Sequence, residues 1–88
     1  MKLDSEFVLQ NMGEETVLVP VGGAGKRFHG VIRLNSTAAF LVECLREGAD
    51  EASLMEALDK EYEGTPEQFR CSIDNTLKSL REVGALLE

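Results

Sequence analysis

The chain is short of the residues that most chemistry needs. It has one histidine, two cysteines and no tryptophan in 88 residues. His29 stands alone, and Cys44 and Cys71 are far apart in sequence, so the close-spaced four-ligand set of a structural zinc site is absent. Ser36, Ser53, Ser72 and Ser79 fall in no motif with that histidine, which leaves nucleophilic catalysis without support. Two cysteines are too few for a disulfide-built secreted scaffold and are expected as reduced, buried thiols. No apolar run approaches the ~20 residues that cross a bilayer. The opening "MKLDSEF" lacks the apolar core of a signal peptide, so the expected address is the cytoplasm. The chain is not expected to be an enzyme, and no metal or cofactor is expected.

Acid is also missing where it would be ordinary. Between Glu15 and Glu43 there is no Asp or Glu, and that window holds Lys26, Arg27, His29 and Arg33. Residues 1–34 carry four acids and four bases; residues 35–88 carry twelve acids and five bases, which accounts for the net charge of −7. A small basic patch therefore sits on an acidic body. Such a body repels phosphate backbones and argues against general nucleic-acid binding. "GGAGK", Gly22 to Lys26, is not a phosphate loop: Pro20 stands where the first glycine belongs, and Arg27 where the hydroxyl belongs. It is expected as a flexible hairpin loop. Ser53-Leu54 follows Ala52 rather than the Asp that precedes a carrier-protein serine.

What is present describes a soluble domain. Hydrophobic residues make up 43% and charged residues 28%, ordinary values, and the length predicts one domain over residues 1–88 with a thin core. Phe7 to Met12 reads as a strand, residues 13–15 as a turn, and Thr16 to Val21 as a second strand with Pro20 near its end. Phe28 to Leu34 reads as a third. Alternation puts Phe28, Gly30, Ile32 and Leu34 on a core face, with His29, Val31 and Arg33 opposite.

After Leu34 the period becomes helical. Asn35, or Ser36 beside it, caps a helix that runs to about Glu47 and stops at Gly48. Asp50 caps a second helix, with Leu54, Leu58 and Tyr62 on one side and Gly64 beyond its end. The third has Thr65 as cap, Pro66 in first position and Gln68 completing a capping box. Its apolar stripe is Phe69, Ile73, Leu77 and Leu80. The expected architecture is α+β and winged helix-turn-helix-like, a three-stranded antiparallel sheet followed by three helices. In a meander the third strand lies at an edge, and a free edge pairs with an added peptide strand. The third helix, whose polar side carries Arg70, Asp74, Lys78 and Arg81, is the candidate second wall of a groove. Arg70–Asp74 and Lys78–Glu82 also read as plain intrahelical pairs.

The segment from Gly30 to the end of the chain resembles the PqqD-like family, the recognition element for ribosomally made, modified peptides. The resemblance is carried by Leu34-Asn35, Ala38-Ala39, Leu41, the Leu45 to Gly48 helix end, Leu54, Leu58, Tyr62 and "LKSLREVGAL". It implies a peptide chaperone with a winged helix-turn-helix fold and no DNA binding. The leader of a precursor peptide would add as a strand beside the third strand, against the third helix, for delivery to a modifying enzyme, often a radical S-adenosylmethionine enzyme. Carried onto this chain, the peptide-binding set is Phe28, His29, Gly30, Val31, Ile32 and Arg33, with Phe69, Arg70, Ile73, Asp74 and Leu77. No membrane partner is implied, and the state expected is a monomer or a strand-exchanged dimer. The long basic loop, and Arg46-Glu47-Gly48 where Asp-Gly is common, favour a relative that serves a peptide outside the pyrroloquinoline-quinone pathway. The competing readings are a winged-helix DNA-binding regulator and a structural subunit of an enzyme complex. The first needs a basic recognition helix, whereas the second helix pairs four acids with the single base Lys60.

Overall fold

A computed structural model describes residues 1–27 and 30–87. Its elements are β1 (Lys2–Leu3), β2 (Phe7–Met12), β3 (Glu15–Pro20), α1 (Gly23–Arg27), β4 (Ile32–Leu34), α2 (Ser36–Glu47), α3 (Glu51–Glu61), α4 (Pro66–Glu82) and β5 (Leu86–Leu87). The expected α+β architecture is present: β2, β3 and β4 form an antiparallel meander in chain order, and three helices follow. The helices cover one face of the sheet. Leu18 of β3, Leu45 of α2, Leu58 of α3 and Leu80 of α4 are all fully buried in a single apolar cluster.

β2 and β3 meet through a two-residue turn in which Gly13 takes a φ of 69°, a conformation that glycine adopts without strain. β4 is the main departure from expectation. It spans Ile32–Leu34 and pairs only with Thr16–Leu18, where a strand over Phe28 to Leu34 was expected. The register explains why it stops. Extended by two residues, the pairing would set Pro20 opposite Gly30 as the next hydrogen-bonded pair. Proline has no N–H to donate, and Gly30 has a φ of 144°, outside the strand region. Phe28 and His29 lie outside the described residues.

The expected flexible loop at Gly22 to Gly25 is instead entered by a helical turn, α1. Gly22 makes the turn possible with a φ of 57°. Gly23 opens it close to Glu6, with 2.7 Å between the carboxylate oxygen Oε2 and the place a Cβ would take.

The helix ends follow the sequence closely. Asn35 is the cap of α2, its Oδ1 accepting from the Ala38 N–H at 2.8 Å. Asp50 caps α3 by accepting from the Ser53 N–H at 2.7 Å, and that bond holds the Asp50 carboxyl below its usual range. On α4 the capping box is complete: Gln68 N–H donates to Thr65 Oγ1 at 3.1 Å, and Thr65 N–H to Gln68 Oε1 at 2.9 Å. After α4, Gly84 turns left-handed and Ala85 N–H reaches back to the Leu80 carbonyl at 2.8 Å. The apolar tail then becomes β5, which pairs with β1 and ties the two ends of the chain together. The thiols differ from expectation. Cys44 is half-buried, and its pKa is raised by burial and by Glu43 beside it. Cys71 is exposed on α4.

Two measurements check this account. Leu58→Ala should lower unfolding free energy by ~2–5 kcal/mol, the range for leucine truncation in a close-packed core; the half-exposed Leu87→Ala should change it little. Urea unfolding reads both. Asp50 has a depressed folded-state pKa, so its stabilisation is present above the unfolded carboxyl pKa and is lost as pH falls through the folded one. Asp50→Asn keeps a capping oxygen without the titration, so the drop in urea midpoint between neutral and acid pH should be smaller in this variant.

Candidate functional site

The register decides which backbone groups of the sheet are free. Val21 N–H donates to the Glu6 carbonyl at 2.7 Å, which fixes the alternation along β2 and β3. Val8, Gln10 and Met12 bond toward β3. Thr16 and Leu18 bond toward β4 and are met there by Leu34 and Ile32. The N–H and C=O of Arg33 therefore point away from the sheet, along the open side of β4. By the same count Leu9 and Asn11 present theirs on the open side of β2. The sheet has two open edges, and they are not alike.

Beside the β4 edge runs a cleft of about 230 Å³. One wall is β4 with the start of α2: Ile32, Arg33, Leu34, Asn35, Thr37 and Ala38. The other is α4: Ser72, Asn75, Thr76, Ser79 and Leu80. Its volume is below the ~300–1,000 Å³ of typical small-molecule and cofactor sites and suits side chains entering from an extended segment. Asn35 stiffens the first wall. By capping α2 directly after Leu34 it lets a strand become a helix without a flexible linker. Among the lining residues Arg33 alone carries a charge, and alternation turns its side chain to the other face of β4 from Ile32 and Leu34.

The α4 wall follows from helical spacing. Residues 72, 75, 76 and 79 recur at three- and four-residue steps and form one stripe. At about 100° per residue, Glu67, Arg70, Asp74, Lys78 and Arg81 fall on the far side, whereas Glu82, three residues after Ser79, continues the row at the C-terminal end of α4. Arg70 and Asp74, each two positions from Ser72, stand about 200° away from it. They line a separate cleft against α3, with Glu51, Ala52 and Met55. Among the described residues no ion pair joins Arg70 to Asp74 or Lys78 to Glu82.

Of the residues singled out from sequence, Ile32 and Arg33 lie in the cleft wall, and Gly30 and Val31 lie exposed just before β4. Phe69, Ile73 and Leu77 are buried in the core, where they set the depth of α4. The stripe Ser72–Asn75–Thr76–Ser79 went unnoticed because charge drew attention to the other face. Its signal was legible: Ser72, Asn75, Thr76 and Ser79 form an uncharged polar row, with five of the six charges of α4 on the other side. Asn75 Nδ2 contacts Cys71 Sγ at 3.6 Å, and Thr76 is mostly buried. Among the described residues no cluster of three or more His, Cys, Asp or Glu is placed to hold a metal ion. No helix of the described residues is long and apolar enough to cross a membrane.

The family model of coenzyme PQQ synthesis protein D (PqqD) matches residues 15–86. No curated protein matches the sequence significantly. Among solved structures, TbiB1 in complex with the TbiA(beta) leader peptide superposes with a TM-score of 0.76 at 19% identity, over 98% of this chain and 94% of that one. Lasso peptide synthetase B1 complexed with the leader peptide superposes with a TM-score of 0.74 at 29% identity, over 99% of this chain and 96% of that one.

The free edge makes a direct prediction for hydrogen exchange. The Arg33 amide should exchange with solvent faster than those of Ile32 and Leu34 on either side, because only the latter bond to β3. Equal protection at all three positions, read by NMR, would contradict the register.

Proposed function

Because the chain belongs to the family of coenzyme PQQ synthesis protein D, we propose that residues 1–88 act as one peptide-recognition unit without catalysis of its own. In this reading the unit captures the leader of a ribosomally made precursor peptide. It acts in the cytoplasm as a peptide chaperone and presents the peptide to a modifying enzyme, a radical S-adenosylmethionine enzyme being the proposed partner.

The leader adds as a strand along β4. Its backbone takes the outward groups of Arg33 and Val31, with His29 and Phe28 next along the chain. Alternate side chains enter the cleft and rest between Ile32, Leu34 and the Ser72–Ser79 stripe. The wall of α4 first expected, Arg70 and Asp74, is replaced in this proposal by that stripe. The observation that carries the reading is the coincidence of an unpaired strand edge with a cleft alongside it. Family membership supports it, as does the leader-peptide complex of the similar lasso peptide synthetase B1. A rigid edge also favours binding, since little of the receptor needs ordering when the peptide arrives.

The test is an NMR titration of the labelled chain with the leader of a precursor peptide encoded beside its gene. Saturable shifts should concentrate at residues 30–34 and 72–79. Shifts centred on β2, or on the Arg70–Asp74 side of α4, would count against the reading.

A further inference from the structure

Arg33 occupies an unusual place. Its rung of the sheet runs Gln10, Val17, Arg33 and then ends at the open edge. All three share the face turned away from the helices, and neither rung neighbour carries a charge. The nearest carboxylate by register is Glu15, two residues from Val17 along β3. It makes no ion pair with Arg33, and no other carboxylate among the described residues does. The cleft beside this cation is lined by no acid at all, although the chain as a whole carries a net charge of −7. The one positive side chain at the mouth of the cleft is also the residue whose N–H and C=O are presented to an incoming strand.

We propose that Arg33 reads a carboxylate at one fixed position of the bound strand. This rests on the strand-addition reading and sharpens it to a ligand class. The peptide strand adds antiparallel, so that one peptide residue takes both of Arg33's backbone groups and is its directly opposed partner. Side chains of opposed residues stand on the same face with Cβ atoms ~5 Å apart. An Asp or Glu there completes a rung that otherwise ends in an unpaired cation. The peptide residues immediately before and after point to the other face, into the cleft. There the hydroxyl and amide groups of Ser72, Asn75, Thr76 and Ser79 and the apolar Ile32 and Leu34 receive uncharged side chains. The recognised pattern is therefore uncharged–acidic–uncharged in an extended segment. A carboxylate two positions away would face the same side at a diagonal distance of ~7–8 Å, so charge selects the register as well as the peptide.

The test selects random nine-residue peptides from a display library against the full chain, its Arg33→Glu and Arg33→Gln variants, and an Arg70→Glu control on the far side of α4. The unmodified chain should enrich peptides with Asp or Glu at one position between uncharged residues. Synthetic versions with Glu should bind about fivefold tighter than versions with Gln there, the upper end for an exposed ion pair, and the preference should shrink at high salt. Arg33→Glu should move the selection to Lys or Arg at that position, Arg33→Gln should erase the preference, and Arg70→Glu should leave it unchanged. Enrichment of peptides with no charge preference, or with one that Arg33→Glu does not move, overturns this assignment and leaves strand addition standing. Failure to enrich any peptide removes strand addition, and the role of Arg33 with it.

Discussion

The register of β3 with its two neighbours is the constraint on which the rest of this molecule depends. β3 is the central strand, and Leu18 within it is completely buried. A slip of one residue in β3 would take Leu18 off the helix-facing side and displace Val17, which is buried on the opposite face. Because the register is held by burial, the direction of each backbone group is held too. Ile32 and Leu34 must face β3, and Arg33 must face outward. Pro20 limits the pairing of β4 from the same strand, since it falls where the next donor is needed. The short edge strand is thus a consequence of β3.

Magnitudes separate what the edge and the cleft contribute under the proposed strand addition. A backbone hydrogen bond stabilises by a net ~0.5–1.5 kcal/mol, so the four groups offered by Arg33 and Val31 give at most ~6 kcal/mol. Micromolar binding needs ~8 kcal/mol. The edge alone does not hold a peptide. It sets direction and register, and most of the affinity falls to side chains buried between β4 and α4. That division explains the importance of Asn35. Its cap on the Ala38 N–H fixes the start of α2 against Leu34, and α2 packs its buried leucines on the cluster that also seats α4. The spacing of the cleft walls is inherited from the core.

Much of this was legible in the sequence because it was written in local terms. Asn35, Asp50 and Thr65 with Gln68 announce their helices by chemistry that acts within three residues. Alternation in Phe7 to Met12 and in Thr16 to Val21 is equally local. The meander order, and with it the edge position of the third strand, followed from short connections. The misreadings came from pairs distant in sequence. Nothing near Gly22 to Lys26 shows that the chain will make a helical turn beside Glu6. Nothing near Gly30 shows that Pro20 will stand opposite it. Cys71 looked like a core thiol until the rotation of α4 placed it outside. On that helix the apolar stripe was readable, but the flank that meets β4 depends on how α4 sits across the sheet. The charged flank drew notice, whereas the uncharged row Ser72–Ser79 borders the cleft.

The two open edges give the central claim its sharpest test. β2 offers Leu9 and Asn11, in a strand twice as long and without charge. β4 offers fewer groups, beside a cleft whose one charged lining residue is a cation, whereas the clefts along β2 hold acids: Asp4 with Lys2 and Arg46 in one, Glu43 in the other. Cross-strand nuclear Overhauser contacts between an unlabelled bound peptide and the isotope-labelled chain distinguish the two directly. The account predicts contacts from the peptide backbone to the Arg33 amide, and none to Leu9 or Asn11. Contacts to Leu9 and Asn11 with Arg33 untouched would contradict it.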